Sequence, residues 1–453
     1  MKSQGERPLD WPTCQVLGRL PRAVTKQVMA GSRPSSRWKL PMDSVDRRHF
    51  LKQTASALPL FGLALAPDLG GIPFVPKEPI RLAVLGVGAW GREMLTELAR
   101  FENVEVVAVA DADPGRLRRG LRMTRNAASY DDWRALLTQQ KDLQAVLIAL
   151  PTHLHREAAL LAVSSGLHVY CEAPLASNLE DAEAMVRASR TGGRVFAVGH
   201  LGRSNPVYKL ARSFYRSDSV ETLISMKGWW HRKGSWRVAV SDPARERALN
   251  WKLDPEITLG LLGEAMSHQI DTLLWYTDLL PESATAHGSI LAYQDGRKEP
   301  DTILAELVTK SGVRMTLDAT LANSYEGAHE LLVGTMGTIK LSERFGWLFK
   351  EADAPVQGWE VYANRQQFHD EQGITLIADA TKLAAQGKLK DGIGLPFAPL
   401  YYGLEAFFKS IAGEPVACNA DQAYATLVAV VKLREAMAKG ERIAIPSDAY
   451  RVD

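Results

Sequence analysis

Three cysteines in 453 residues leave neither a disulfide framework nor the spaced thiols of a structural metal site. Cys171 ends an apolar run and Cys418 lies far downstream, so both read as buried free thiols, while Cys14 falls in a basic N-terminal tail. Long hydrophobic runs are missing as well. The weakly apolar stretch from Thr54 to Ala66 is too short for a bilayer core of about 30 Å, which needs roughly 20 residues. There is no internal repeat, no low-complexity block, no Gly-x-Ser-x-Gly elbow and no P-loop, which removes solenoids, elbow hydrolases and Walker-type NTPases. Net charge is only +2, and residues 1–52 carry 11 Lys/Arg against 4 Asp/Glu. The rest of the chain is therefore mildly acidic, which argues against a nucleic-acid surface. Eleven tryptophans and twelve tyrosines suit sugar faces and protein cores equally.

What is present is a glycine fingerprint. The apolar run Ile80 to Leu85 leads into Gly86-Val87-Gly88-Ala89-Trp90-Gly91, and helical spacing continues to Arg100. In a dinucleotide fold the first glycine makes the tight turn. The second admits a pyrophosphate against the backbone, and the third lets helix pack on strand. The open helix N-terminus, at Ala89, Trp90 and Gly91, offers free N–H groups to phosphate. A second apolar strand, Val104 to Ala110, ends in Asp111, where a carboxylate accepts from a ribose diol and repels a 2′-phosphate. NAD is the expected cofactor, and the nearby Arg116 leaves NADP open.

The N-terminus reads as an address. Arg47-Arg48 followed by Phe50-Leu51-Lys52 and a modest apolar stretch resembles a twin-arginine export signal, which predicts a periplasmic or other extracytoplasmic protein. Met42 stands just before the arginine pair, so residues 1–41 read as a disordered extension ahead of the natural start. Outside the cytoplasm no nicotinamide pool exchanges with the protein, so the cofactor is expected to stay bound.

Residues 42–70 form the signal and 71–79 a Pro-rich linker. Strands and helices alternate over 80–200, which predicts an α/β domain with a doubly wound parallel sheet. Residues 201–440 read as a second α/β domain. Helices are expected at about 205–217 and 256–280, and mostly antiparallel strands at 284–293, 302–309, 313–320, 330–334 and 337–341. Asp295-Gly296 and Ser311-Gly312 carry hairpin-turn chemistry. A helix at about 421–439 and a tail at 441–453 complete the chain.

Four segments together resemble the Gfo/Idh/MocA oxidoreductases: the glycine fingerprint, Pro151-Thr152-His153-Leu154-His155, Glu172-Ala173-Pro174, and Glu264-Ala265-Met266-Ser267-His268 continuing to Asp271. The resemblance covers roughly 78–440. It implies a Rossmann domain followed by an open-faced α/β domain, and sugars, polyols or their relatives as substrates. It extends the cofactor contacts to Pro151, Thr152, His155, Glu172 and Pro174. Family members carry lysine where this chain has Ala173. In the family that lysine contacts substrate hydroxyl and nicotinamide and stabilises charge as the hydroxyl loses its proton, which alanine cannot do. Another cation is required if that role persists, and Arg203, Lys209, Arg232 and Lys233 are candidates.

His268 is the expected acid/base, since an imidazole exchanges protons near neutrality. Glu264 stands four residues earlier, on the same face of a continuous helix, and is expected to orient the ring or contact a second hydroxyl. Asp271 is an alternative on a similar face. Glu172 either contacts the reacting centre or only shapes its turn. His153 and His155 form a pair without a third ligand, so no metal is expected. Trp230, Arg232, Trp236 and Arg237 are candidate sugar contacts, or equally a strand and loop packed between domains. Three functions follow: an exported NAD(P)-dependent oxidoreductase of a sugar, polyol or glycoside, a redox-neutral NAD-dependent glycoside hydrolase or lyase, or a non-catalytic sugar or cofactor binder. An open sheet face predicts a homo-oligomer, with membrane contact only through the export signal.

Overall fold

The structure, a computed structural model, describes residues 75–369, 371–378 and 394–453. Cys14, Met42 and the twin-arginine segment lie outside the described residues. Among the described residues no helix is long and apolar enough to cross a membrane, and Cys171 and Cys418 are buried free thiols.

The first sheet alternates with helices in chain order: β1 (Ile80–Leu85), α1 (Ala89–Leu98), β2 (Val104–Ala110), α2 (Pro114–Leu121), β3 (Ala128–Tyr130), α3 (Trp133–Gln139), β4 (Ala145–Ile148), α4 (His155–Ser164), β5 (His168–Cys171), α5 (Leu179–Thr191) and β6 (Phe196–Val198). The strands lie in the order β3-β2-β1-β4-β5-β6, all parallel. Leu82 to Leu85 and Ala145 to Ile148 are wholly buried, as strands covered on both faces must be. Side-chain caps start several of the helices: at α2 Asp113 accepts from the Arg116 amide, and at α5 Asn178 accepts from that of Asp181. Strand order reverses between β1 and β4, which opens a crevice beyond their carboxyl ends.

The second region holds α6 (Pro206–Arg216), β7 (Leu223–His231), the single turn α7 (Glu246–Leu249), α8 (Gly260–Glu264), α9 (Ser267–Thr277), β8 (Pro281–Ser289), β9 (Thr302–Thr309), β10 (Arg314–Thr320), β11 (Ala328–Gly334), β12 (Gly337–Ser342), β13 (Phe345–Lys350), β14 (Arg365–Phe368) and β15 (Glu371–Thr375). α10 (Pro399–Ile411), α11 (Ala420–Lys439) and β16 (Ile443–Ala444) follow. Its ten-stranded sheet runs β14-β15-β13-β12-β11-β7-β10-β9-β8-β16. Every pairing is antiparallel except that of β7 with β10.

β7 occupies the centre of the sheet and carries Trp230, where the sequence left a strand open as an alternative to a sugar contact. Three expectations need correction. The helix expected over 256–280 breaks at Ala265, whose backbone leaves the helical region (φ −130°, ψ −61°). Ser311-Gly312 does close a tight turn between β9 and β10, with Gly312 at φ +83°. Asp295-Gly296 instead sits in a long loop, held where Asp301 accepts from the amides of Leu291, Ala292 and Tyr293. Finally, α10 does not belong with the second sheet. Leu400, Tyr401, Leu404, Phe407 and Phe408 bury themselves against Leu82, Val84 and Tyr170 of the first, with Tyr401 stacked on Phe101 at 4.7 Å.

Candidate active site

One cavity of about 1170 Å³ lies between the carboxyl ends of the parallel strands and the second sheet, and both groups of sequence candidates reach it.

Its nucleotide end is built from backbone. Gly86 has φ +87°, and a Cβ there would stand 2.5 Å from the Ala149 carbonyl oxygen. A Cβ on Gly91 would stand 1.9 Å from the Gly86 oxygen, so α1 approaches β1 this closely only with glycine. A Cβ on Gly88 would meet nothing within 4 Å. That open space, on the cavity wall where α1 begins without a side-chain cap, fits a pyrophosphate. Asp111 lines the same end. Its two oxygens accept from the amides of Val87 (3.0 Å) and Asp113 (2.8 Å), which fixes the carboxylate at the tip of β2. From the second region, Arg245 pairs with Asp113 across this end.

The middle of the cavity joins the two regions. Ala89, Trp90, Pro151, Thr152, His155, Glu172 and Ala173 line it, whereas Pro174 does not. His155 is buried with its nitrogens spent on the carbonyls of Leu150 (2.9 Å), Pro174 (3.1 Å) and Leu175 (3.3 Å). It ties the loop after β4 to the loop after β5. Glu172 is buried with one oxygen unpartnered. Burial raises its pKa to about 7, against the lowering influence of Trp90 and the Ala173 amide.

His268 lines the cavity near the start of α9, its ring 5.5 Å from that of the buried His200. Burial pushes its pKa down to about 3, with help from His200 and against the pull of Asp271. The ring is therefore a neutral acceptor throughout the neutral range. Glu264 also lines the cavity, but from the end of α8, across the break at Ala265. It does not hold the imidazole. Thr152 donates to both its oxygens at 3.0 and 3.1 Å, and Thr258 to one at 3.4 Å. Burial raises its pKa, opposed first by the charge of Lys252.

Asp271 is no substrate contact. It is fully buried, takes a bidentate bond from Arg203 at 2.8 and 2.9 Å, and accepts from Thr426 on α11. It clamps α9 to its neighbours. Arg237 does not line the cavity either, since it pairs with Glu246 at 2.6 Å and Asp295 at 3.2 Å. Trp230, Arg232 and Trp236 do line it. The two indoles meet edge to face at 6.0 Å, and the Arg232 guanidinium lies over Trp230 while pairing with Glu343. Trp229, on the opposite face of β7, stacks instead on His329. Trp236 holds a positive φ of 60°. The preceding Ser235 carbonyl is pinned by the buried Arg297 at 2.6 Å.

Sequence reading missed several residues of this wall: Tyr208, Trp251, Lys252, Gln269 and Glu330. Tyr208 donates to Glu330 at 2.7 Å. Burial raises the Glu330 pKa to about 8, so it is largely a neutral acid at pH 7. The adjacent Trp251-Lys252 carries the same aromatic-plus-cation signal as Trp230 and Arg232, but it has no motif around it. Among the described residues no group of three His, Cys, Asp or Glu side chains could hold a metal.

Residues 80–200 match the family described as "Oxidoreductase family, NAD-binding Rossmann fold", and residues 222–340 match the "GFO/IDH/MocA C-terminal domain". The chain is 27% identical over 265 residues to 2,7-anhydro-N-acetylneuraminate hydratase of Escherichia coli K12, covering 58% of this chain and 67% of that one. It is 25% identical over 271 residues to inositol 2-dehydrogenase of Acidothermus cellulolyticus, covering 58% and 73%. A solved levoglucosan dehydrogenase in complex with NADH and levoglucosan superposes with a TM-score of 0.65 at 22% identity, covering 82% of this chain and all of that one. At that identity the likeness concerns the fold. The glycine turn, the anchored acid at the tip of β2 and both matched halves agree, and the chain belongs to the NAD-binding Gfo/Idh/MocA family of oxidoreductases.

Proposed function

We propose that the cavity oxidises one hydroxyl of a neutral sugar, polyol or glycoside. The observation that carries this reading is a neutral imidazole, His268, in the same cavity as the glycine turn and beside an indole wall. Gly86, Gly88, Gly91 and Asp111 would hold NAD, which when bound supplies the acceptor for a hydride. The chain's own task is the proton. As the carbinol C–H bond gives up its electron pair and C=O forms, the hydroxyl becomes that of a protonated carbonyl. This is an acid strong enough for even a weakly basic imidazole to deprotonate. His268 takes that proton, while Asp271 and Arg203 behind it hold α9 in place. Glu264 accepts from a second substrate hydroxyl with the lone pairs that Thr152 and Thr258 leave free. Glu330, protonated near neutrality, donates to a sugar oxygen. Trp230, Trp236 and Trp251 offer flat apolar faces, the usual lining of a site with few polar anchors.

The test is native mass spectrometry of the purified protein for retained dinucleotide, followed by turnover on a panel of sugars and polyols. Retained NAD and a keto product are expected. A protein that holds no dinucleotide and converts nothing on the panel sinks the reading.

A second reading, redox-neutral cleavage or hydration through transient oxidation, draws support from the hydratase relative and from Ala173. It requires solvent deuterium in the sugar without net NADH, and its absence rejects it. A binder without chemistry gains nothing from a site that keeps its imidazole and carboxylates.

We also propose export through the twin-arginine segment and assembly into a homo-oligomer through the open sheet face. Cell fractionation with the mass of the native precursor tests the first, and sedimentation tests the second. An exported enzyme would return the hydride through product or a second substrate.

A further inference from the structure

The nucleotide-binding region lacks the cation that the family resemblance implies beside the reacting oxygen, because residue 173 is alanine. The four substitutes suggested by sequence do not fill the gap. Arg203 is buried against Asp271, and Arg232 is paired with Glu343. Lys209 is packed beside Lys409 and Glu405, away from the cavity, and Lys233 does not line it.

Lys252 does line it, together with Ala173, Glu264 and His268. It sits in the turn Trp251–Leu253, next to the Trp236 loop. Its ammonium lies 4.9 Å from the Trp236 ring centroid and 5.5 Å from that of Trp251. No carboxylate among the described residues stands within ion-pair distance of it. Of the cavity's other cations, Arg134 is paired with Glu157, Arg232 with Glu343 and Arg245 with Asp113, while Arg116 lies on α2 at the nucleotide end. Two indoles hold an ammonium without neutralising it and strip part of its water. A cation kept in that way retains its full field for an oxygen arriving in the cavity. The same charge reaches both acid/base groups, acting on Glu264 and on His268.

We propose that Lys252 supplies, from the second region, the cation missing at Ala173, and directs it at the substrate oxygen whose proton passes to His268. The inference rests on the oxidoreductase reading above. No bond to Lys252 forms or breaks. Its ammonium donates a hydrogen bond to the reacting oxygen and, by its charge, favours loss of that oxygen's proton to His268 as C=O forms.

The experiment compares full-length wild type, Lys252→Met, Lys252→Arg and Lys252→Met with Ala173→Lys. Steady-state turnover, NADH titration and NMR of the His268 ring are the readouts. Lys252→Met is expected to lower kcat about 100-fold, with NADH affinity within about threefold of wild type. Lys252→Arg keeps part of the rate, and a lysine at 173 restores at least about tenfold to the Met variant. Removing the ammonium also raises the pH at which His268 titrates, against the unchanged neighbours His200, Asp271, Arg203 and Glu264. A Met variant within threefold of wild-type kcat, or a His268 titration that does not move, overturns the inference and leaves the function intact. A wild type that binds no dinucleotide and turns over no substrate overturns both.

Discussion

The two ends of the cavity are made of different material. At the nucleotide end the working features are backbone amides, the open space beside Gly88 and the close backbone approach that Gly86 and Gly91 permit, all within residues 86–91, plus one acid at the tip of the neighbouring strand. At the substrate end they are side chains from β7, the loop carrying Trp236, the turn carrying Trp251 and Lys252, the ends of α8 and α9, and β11. A backbone site depends on local conformation, so it is compact in sequence and intolerant of a single methyl group. A side-chain site depends on which elements the sheet brings together, so it tolerates change at any one member and shows no spacing rule.

Five substitutions sharpen or break that contrast. His268→Gln has the largest expected effect: kcat falls by about 10² to 10⁴, while NADH affinity measured by fluorescence stays put. If NADH binding fails with it, the two ends are not separable. Gly91→Ala comes next. Its Cβ would lie 1.9 Å from the Gly86 oxygen, so stability to urea should drop by about 3 kcal/mol and NADH binding should be lost. Gly88→Ala, with nothing within 4 Å of its Cβ, should keep stability within about 0.5 kcal/mol yet weaken NADH about tenfold. Equal destabilisation by both would refute the assignment of open space to ligand.

The next prediction concerns pH. Burial raises the Glu330 pKa from 4.5 to about 8, so the folded chain holds a proton that the unfolded chain releases between these values. Stability is then greatest below the unfolded pKa and declines through pH 5 to 8, by at most about 1.4 kcal/mol per pH unit. Glu330→Gln should flatten that slope in urea titrations, and an unchanged slope would remove Glu330 from the account. The smallest effect belongs to Arg237→Ala. Loss of its two partly exposed ion pairs should cost less than about 1 kcal/mol and leave the KM for sugar unchanged. A raised KM would put Arg237 back at the substrate end.

Legibility followed the same division. β1, α1, β2 and Asp111 could be read because an apolar run, a glycine turn and a helix stand in chain order with the acid at a set distance. Most of α6 and α11 was legible from helical signals in the sequence. The break at Ala265 was not, since Glu264 and His268 keep helical spacing in sequence and lose it only when α8 and α9 pack separately. β7 stayed one of two readings of its stretch because aromatic and cationic residues suit a sugar site and a packed strand equally. Asp271 looked available because nothing near it in sequence announces Arg203 or Thr426. Lys252 was passed over because it belongs to no motif.

The order of residues alone determined a dinucleotide crevice at the end of β1 and the acid that lines it, because each rests on conformations set within a few neighbouring residues. Only the tertiary structure decided which carboxylates face the cavity and which are locked in ion pairs, and that an ammonium without an ion pair lines the same cavity as Ala173. Burial and charge pairing depend on partners distant in the chain, and those partners meet only when the two sheets close around one space.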